Sequence, residues 1–137
     1  MARLGLVVAE FNRSVTAEME DAALSAAAAR DAEVVDVTSV PGAYDSPLAA
    51  DRLARRDDVD AVAVVGAIVT GDTNHDEVIG HATAQKLTDV SLERDTPVTL
   101  GVTGPGMSGA EARERVENAA HAVEGALDLV AELEDDS

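Results

Sequence analysis

The chain has 137 residues, of which 46% are hydrophobic, and its 27 acidic and 10 basic side chains give a formal net charge of −17. A chain of this length predicts a single domain over residues 1–137 with a hydrophobic core of its own, and the absence of cysteine excludes disulfides, thiolate nucleophiles and iron–sulfur clusters. A surface this acidic repels phosphate backbones and anionic lipids, so nucleic acids and membranes are not expected partners.

The types of charged residue indicate the environment of the protein. Lys86 is the only lysine, and the other nine basic residues are arginines. A hydrophobic core under a surface rich in carboxylates and poor in lysine indicates a halophilic protein, from a cytoplasm where high salt screens charge repulsion; an ordinary acidic protein is the alternative. Arg3 interrupts the first apolar run, and no apolar stretch is long enough to cross a bilayer. We therefore expect a cytoplasmic protein without a signal peptide or membrane span.

Strand and helix patterns alternate along the chain. Short apolar or β-branched runs predict buried strands, and alanine-rich or amphipathic runs predict helices. Ser14 or Thr16 fits an N-cap, Pro47 fits a first helical turn, and Ser108 with Glu111 forms a capping box. In chain order the predicted elements are a strand at 4–9, a helix at 17–30, a strand at 33–39, a helix at 47–56, a strand at 60–68, a helix at 75–93, a strand at 97–102 and a helix at 108–133.

Four successive β–loop–α units predict an α/β fold, with a parallel sheet and helices on both of its faces. In such sheets ligands bind at the carboxyl ends of the strands, near the change in strand order. The loops predicted at these ends are 10–15, 40–46, 69–75 and 103–109, and they hold both aromatic residues of the chain, several glycines and His75.

Residues 104–109 match the glycine pattern of dinucleotide-binding loops, G-x-G-x-x-G. The match lacks its context, because no strand follows the last helix to complete a βαβ unit. Anion binding by free N–H groups at the helix start and a plain glycine turn remain as interpretations. Glu77 and His81 share a helix face without forming an H-E-x-x-H pattern, so we predict no metal site.

The two aromatic residues and one histidine favour a ligand at the strand ends. Phe11 and Tyr44 both lie in predicted strand-end loops, although the core is otherwise built of Ala, Val and Leu. Two rings at one edge of the sheet favour stacking on a planar ligand as their role, rather than simple filling of the core. His75 can move protons near neutral pH, and the loop before it can hold an anion at the helix start.

Four sequence blocks carry a resemblance to a known enzyme family. They are Val-Ala-Glu-Phe-Asn at 8–12, Val-Pro-Gly-Ala-Tyr-Asp-Ser-Pro-Leu-Ala at 40–49, Gly-Ala-Ile-Val-Thr-Gly-Asp-Thr-Asn-His at 66–75 and Pro-Val-Thr-Leu-Gly-Val at 97–102. In this order and spacing they resemble the 6,7-dimethyl-8-ribityllumazine synthase family, and its archaeal form in particular. The resemblance runs from about residue 4 to the last helix. It implies a three-layer α/β sandwich with a four-stranded parallel flavodoxin-like sheet.

The resemblance implies a transferase of riboflavin biosynthesis. Such an enzyme condenses 5-amino-6-(D-ribitylamino)uracil with 3,4-dihydroxy-2-butanone 4-phosphate. Schiff-base formation, loss of inorganic phosphate and ring closure give the lumazine, with no cofactor and no metal.

The resemblance also implies roles for single residues. His75 holds the position of proton transfer, and Phe11 holds the position that stacks on the pyrimidine. The stretch at 42–45 would line the ribityl chain, the backbone at 68–69 would bind the pyrimidinedione edge, and the loop at 71–73 would lie beside the phosphate. The implied substrate-binding residues are Phe11, Asn12, Gly42, Ala43, Tyr44, Asp45, Ile68, Val69, Gly71, Asp72, Thr73, Leu100 and Arg115.

The family's sites lie between adjacent subunits of a pentamer, so the resemblance implies a homopentamer, alone or closed with others into a 60-subunit shell. An arginine of the final helix, supplied by a neighbouring subunit, binds the phosphate in the family. Arg115 matches it best, and Arg113 is the alternative. The chain departs from the family pattern at Asp45, where glutamate is common, at Leu100, where phenylalanine is common, and in the lysines missing after Arg115.

Two other functions remain open from the sequence. An archaeal-type riboflavin synthase shares the fold and a Val-Pro-Gly block, although Phe11-Asn12 and residues 74–77 favour the lumazine enzyme. A non-catalytic flavin-binding or shell-forming scaffold is the other alternative. The joint presence of Phe11, His75 and Arg115 argues against it, because a scaffold needs none of them.

Overall fold

The computed structural model of the chain describes residues 1–69 and 75–134, and a parallel β-sheet forms its centre. The strands stand in the order β2-β1-β3-β4, and every neighbouring pair is parallel. The strands are β1 (Arg3–Ala9), β2 (Glu33–Val40), β3 (Ala61–Val69) and β4 (Val98–Met107), and the helices are α1 (Arg13–Ala29), α2 (Ser46–Ala54), α3 (His75–Arg94), α4 (Gly109–Arg113) and α5 (Asn118–Leu133). The predicted α/β class and the parallel four-stranded sheet are confirmed.

Helices cover both faces of the sheet, which makes three layers. Along β1, Leu4, Leu6 and Val8 pack towards α1 and α5, whereas Val7 packs towards α2 and α3. The alternation follows from the two-residue repeat of a strand. Because β1 and β3 are covered on both sides, they are continuous apolar runs, as a central parallel strand requires.

The first helix begins earlier than predicted, and neither Ser14 nor Thr16 caps it. Asn12 occupies the N-cap in the left-handed conformation, with φ 64°, and its side chain makes no capping hydrogen bond. Asparagine tolerates this conformation better than most residues do. The Asn12 carbonyl accepts from the N–H groups of Val15 and Thr16, so the chain turns into the helix directly after β1.

The region after β4 also differs from the prediction. Residues 103–107, predicted as a loop, continue β4, and Val69 pairs with Met107 after a shift in register. The predicted capping box is present, since Ser108 and Glu111 exchange two hydrogen bonds of 3.2 Å. The predicted last helix is nevertheless split into α4 and α5, because the turn between them closes with i to i−3 bonds such as Arg115 N–H to the Ala112 carbonyl.

An ion pair on the surface ties α2 to α3. The Arg94 guanidinium donates to both carboxylate oxygens of Asp51, at 2.7 and 3.3 Å. This hydrogen bonding holds the pKa of Asp51 below its usual range. Among the described residues, no helix is both long and apolar enough to cross a membrane.

Two glycine substitutions test the packing of α5 on β4. At Gly101 a Cβ atom would lie 2.8 Å from the Cβ of Ala122 and 3.1 Å from the Val64 carbonyl oxygen. At Gly125 the nearest atom, of Thr99, is 4.0 Å away. We expect Gly101→Ala to lower the free energy of unfolding by about 1–3 kcal/mol through overpacking. Gly125→Ala should raise it by up to about 1 kcal/mol, because alanine favours the helix.

Urea unfolding of both variants at one protein concentration measures the difference. A Gly101→Ala protein as stable as the parent would contradict the close approach of α5 to β4. Gly125→Ala serves as the matched control for the same substitution in the same pair of elements.

Candidate active site

A cavity of about 600 Å³ opens at the carboxyl ends of β1 and β3. The strand order changes direction here, because β2 lies on one side of β1 and β3 lies on the other. Parallel sheets of this order bind ligands at this point. The cavity is lined by Phe11, Pro41, Gly42, Ala43, Tyr44, Asp45, Ala67, Ile68, Val69, His75, Asp76 and Ile79.

Two backbone hydrogen bonds place Phe11 at the mouth of this cavity. The Glu10 N–H donates to the Val40 carbonyl and the Phe11 N–H to the Pro41 carbonyl, at 2.8 and 2.9 Å. These bonds continue the pairing of β1 with β2 beyond the strands themselves. The Phe11 ring is 61% exposed and the Tyr44 ring 68% exposed, so neither fills the core and both offer a ring face to a ligand.

The segment from Gly42 to Asp45 forms a tight 3₁₀ turn on the cavity wall. The Gly42 N–H donates to Asp45 Oδ2 at 3.1 Å, which uses one carboxylate oxygen inside the turn. The Ala43 carbonyl accepts from the buried hydroxyls of Ser46, at 2.7 Å, and Thr83, at 3.3 Å. The turn is therefore fixed from α2 and α3 together.

His75 and the end of β3 form the opposite side of the cavity. Ile68 and Val69 are the last residues of β3, and His75 is the first residue of α3. His75 is exposed, whereas Asp76 beside it is buried, and both line the cavity. The predicted residues Gly71, Asp72 and Thr73 lie outside the described residues.

Three predicted site residues do not line the cavity of this chain. Asn12 lies just behind Phe11, and its buried Nδ2 has no hydrogen-bond acceptor among the described residues. Leu100 lies near the start of the edge strand β4 and is 48% exposed. Arg115 lies in the turn between α4 and α5 and is exposed.

The two candidate arginines differ in their surroundings. Arg113 donates to the Ser14 hydroxyl at 3.1 Å and pairs with Glu18 at 3.7 Å, so it ties α4 to α1. Arg115 makes no side-chain hydrogen bond or ion pair with any residue of 1–69 or 75–134. Its guanidinium is thus available at the surface, while that of Arg113 is engaged within the chain.

The sequence analysis did not single out Asp76 and Ile79 as cavity residues. Acidic residues are common in the first turn of a helix, because they complement the helix dipole. The aspartate at position 76 therefore carried no functional signal. Its burial depends on the continuation of β4 past residue 102, which was not predicted either.

A larger cavity of about 750 Å³ lies at the opposite, amino end of the sheet, among residues such as Met1, Leu92, Pro97 and Leu133. None of the predicted site residues lines it. Size alone favours this cavity as the active site, but the two aromatic rings and His75 line the smaller one. We therefore take the cavity at the carboxyl ends as the candidate active site.

Comparisons with known proteins show which family the chain resembles. The sequence model of the 6,7-dimethyl-8-ribityllumazine synthase family matches residues 1–134. A 6,7-dimethyl-8-ribityllumazine synthase of Halobacterium salinarum is 77% identical over 133 residues, which cover 97% of this chain and 100% of the relative. The enzyme of the same name from Halorubrum lacusprofundi is 73% identical over 134 residues, covering 98% and 100%. That from Methanocaldococcus jannaschii is 46% identical over 133 residues, covering 97% and 94%.

The match extends over nearly the whole length of this chain and of each of these relatives. It includes all the strands and helices that build the candidate site. The chain therefore belongs to the 6,7-dimethyl-8-ribityllumazine synthase family.

Proposed function

We propose that this chain condenses 5-amino-6-(D-ribitylamino)uracil with 3,4-dihydroxy-2-butanone 4-phosphate to form 6,7-dimethyl-8-ribityllumazine. The observation that carries the proposal is the convergence of an exposed ring, a turn with fixed backbone groups, a strand end and a histidine on one cavity. Family membership supports the activity, and this convergence supports the site.

The pyrimidine would lie against Phe11. An exposed ring next to the end of a strand can hold a flat heterocycle by stacking while backbone N–H and C=O groups bind its edge. The backbone at Ile68 and Val69, where β3 ends, is the source of those groups. Few side chains are needed for such recognition, which suits a protein with two aromatic residues.

The ribityl chain would extend along the turn at Gly42–Asp45, with Ala43 and Tyr44 on the wall beside it. Its hydroxyls need acceptors and donors, and one oxygen of Asp45 is free of the Gly42 bond. Asn12 would lie beside the substrate by the family resemblance alone, because its buried Nδ2 does not line the cavity. Asp45 is one methylene shorter than glutamate, so its reach towards the hydroxyls is correspondingly shorter.

His75 would transfer protons during the condensation. The amine attacks the ketone and water leaves to give a Schiff base. Phosphate is then eliminated, and the ribityl-bearing amine closes the ring on the remaining carbonyl with loss of a second water. Each of these steps moves a proton, and an imidazole at the cavity wall can accept and return it near neutral pH. The loop residues Gly71, Asp72 and Thr73, next to His75 in the sequence, would hold the phosphate.

The phosphate also needs a fixed cation, because a protein of net charge −17 repels a phosphorylated substrate. Arg115 suits this role better than Arg113, whose guanidinium already contacts Ser14 and Glu18. A guanidinium binds phosphate oxygens through two parallel N–H bonds. Arg115 lies away from the cavity of its own chain, so it would serve the cavity of a neighbour.

We extend the proposal to the assembly and its environment. Sites shared between subunits imply a homo-oligomer, and a homopentamer, alone or within a 60-subunit shell, would bring Leu100 and Arg115 of one subunit to the cavity of the next. The acidic, lysine-poor surface and the relatives at 77% and 73% identity in Halobacterium and Halorubrum support a halophilic protein of the cytoplasm. High salt would screen the repulsion between such acidic subunits.

The function is tested by mixing the purified protein with both substrates in molar KCl and following lumazine fluorescence against a sample without enzyme. We expect saturable product formation. His75→Ala should slow it by about 10²–10⁴-fold if the imidazole is a general acid–base. No acceleration by the folded parent would contradict the proposal, and activity in a lumazine dismutation assay would then indicate a riboflavin synthase. A His75→Ala rate equal to the parent's would remove His75 from the mechanism.

The stacking role of Phe11 is tested by binding. Phe11→Ala should make the free energy of binding the ribitylaminouracil less favourable by about 1–3 kcal/mol, by analogy with base–aromatic stacking. Phe11→Tyr, which keeps the ring, is the matched control and should bind nearly as the parent does. Equal affinities of the alanine variant and the parent, measured by calorimetry, would be evidence against stacking.

Arg115 is tested against Arg113. Arg115→Ala should raise the KM for the butanone phosphate by about tenfold to a hundredfold, the value of a lost charged hydrogen bond. Arg113→Ala should leave this KM near that of the parent. The reverse pattern would assign the phosphate to Arg113.

Mixing the two kinds of variant subunit, assayed at a butanone phosphate concentration well below the KM of Arg115→Ala, tests whether the site is shared. In oligomers assembled from His75→Ala and Arg115→Ala chains, some sites combine an intact His75 with an intact Arg115 of the neighbour, so activity should return. Mixed oligomers without any recovered activity would place both residues in the site of one subunit.

A further inference from the structure

We propose that Asp76 is a positioning residue. Its carboxylate accepts from the N–H of Gly106 and so holds the first turn of α3 to residues 104–106 of β4. This contact sets the place of His75 in the cavity. The inference rests on the function proposed above. It concerns a contact that the roles given to Phe11, His75 and Arg115 do not use.

Asp76 is the only buried ionisable side chain among residues 1–69 and 75–134, with 8% of its surface exposed. Burying a carboxylate costs free energy unless hydrogen bonds replace the lost water. Asp76 Oδ2 accepts from the Gly106 N–H at 3.1 Å, and the N-terminal end of α3 favours a negative charge at this position. A charge is therefore buried, despite the cost in free energy, where it makes one contact between α3 and β4.

A second contact holds the same helix face. A Cβ atom at Gly80 would lie 2.8 and 2.9 Å from the Cδ and Cγ atoms of Pro105. Only a glycine allows α3 to come this close to Pro105. Asp76 and Gly80 are four residues apart and so share one face of α3, and both meet the same short segment of β4.

The segment at 104–106 is held from its other side by β3. Gly104 has φ +92°, and a Cβ atom there would collide with the carbonyl oxygen of Ile68. Gly106 has φ +84°, a conformation that glycine adopts without strain. The segment therefore bridges Ile68, on one wall of the cavity, and α3, on the other. This bridge accounts for two glycines of the G-x-G-x-x-G pattern without a dinucleotide.

The geometry of α3 connects this bridge to the chemistry. His75 and Ile79, also four residues apart, line the cavity, while Asp76 and Gly80 on the adjacent face contact β4. A helix fixed at two points on one face cannot roll or slide, so the side chains on the next face keep their place. Loss of the Asp76 contact would remove the hydrogen bond that holds the first turn of α3 to β4, and this turn would be able to shift.

The kinetic test compares Asp76→Ala with Asp76→Asn, which keeps an oxygen that can accept from Gly106. We expect Asp76→Ala to lower kcat by on the order of 10²-fold, the effect of a displaced catalytic group, with KM values near those of the parent. Asp76→Asn should recover most of this loss. Asp89→Ala, which removes an exposed carboxylate of α3 paired with Lys86, is the matched control and should keep the parent's kcat.

A double variant shows whether Asp76 acts through His75. In His75→Ala/Asp76→Ala the second substitution should cost no further activity, because the group that Asp76 places is already absent. Additive losses would overturn the proposal. So would a parent-like kcat in Asp76→Ala, or equal losses in Asp76→Ala and Asp76→Asn.

A second readout does not depend on activity. The chain has three histidines, His75, His81 and His121, so imidazole resonances in an NMR spectrum report on His75 with two internal references. In Asp76→Ala we expect the His75 resonances to broaden or double, while those of His81 and His121 stay unchanged; Asp76→Asn should give a single His75 state. Unchanged His75 resonances in Asp76→Ala would overturn the inference. An inactive parent would contradict the proposed function alone, and this spectrum would still decide the role of Asp76.

Discussion

The covering of β1 and β3 by helices on both faces is the constraint on which the rest of this structure depends. After Arg3 at the start of β1, the residues of these two strands are all apolar or glycine, so polar chemistry is restricted to the places where the strands begin and end. All four strands are parallel, so their carboxyl ends lie at one edge, and the reversal of strand order between β1 and β3 opens a crevice there. The cavity with Phe11 and His75 follows from this topology.

The same reasoning explains how much of the site could be predicted from the sequence. Phe11 and Tyr44 follow predicted strands, Ile68 ends one, and His75 begins a predicted helix. These elements are evident from apolar periodicity, and the structure brings the four residues to one cavity. The periodicity does not assign their roles, which came from the family resemblance. The N-cap at Asn12 was not predicted because asparagine, serine and threonine are all good N-caps, so propensity does not choose among Asn12, Ser14 and Thr16. The sharp exit from β1, which requires a left-handed residue, makes the choice.

The continuation of β4 past Val102 could not be predicted for a physical reason. A glycine–proline–glycine stretch normally ends a strand, since proline removes a donor and glycine favours turns. Here tertiary contacts override that preference. Gly104 is pressed against Ile68, and Pro105 fits against Gly80 of α3, so these two residues are used for close packing. The third residue, Gly106, donates its N–H to Asp76. Sequence patterns report local preference and do not contain such contacts between distant segments.

The split of the last helix has a functional consequence. The helix begins at the predicted capping box, but α4 has only five residues, Gly109–Arg113, before the chain turns at 114–117. Arg113 lies on the side of α4 that meets α1, where Ser14 and Glu18 bind it, whereas Arg115 falls in the turn and stays exposed. Two arginines that are equivalent in the sequence thus become different in the fold. Arg113 holds α4 to α1, and Arg115 is exposed at the surface. A chain of net charge −17 has few cations to present, so a phosphate that approaches this surface meets one whose charge no carboxylate of the described residues neutralises.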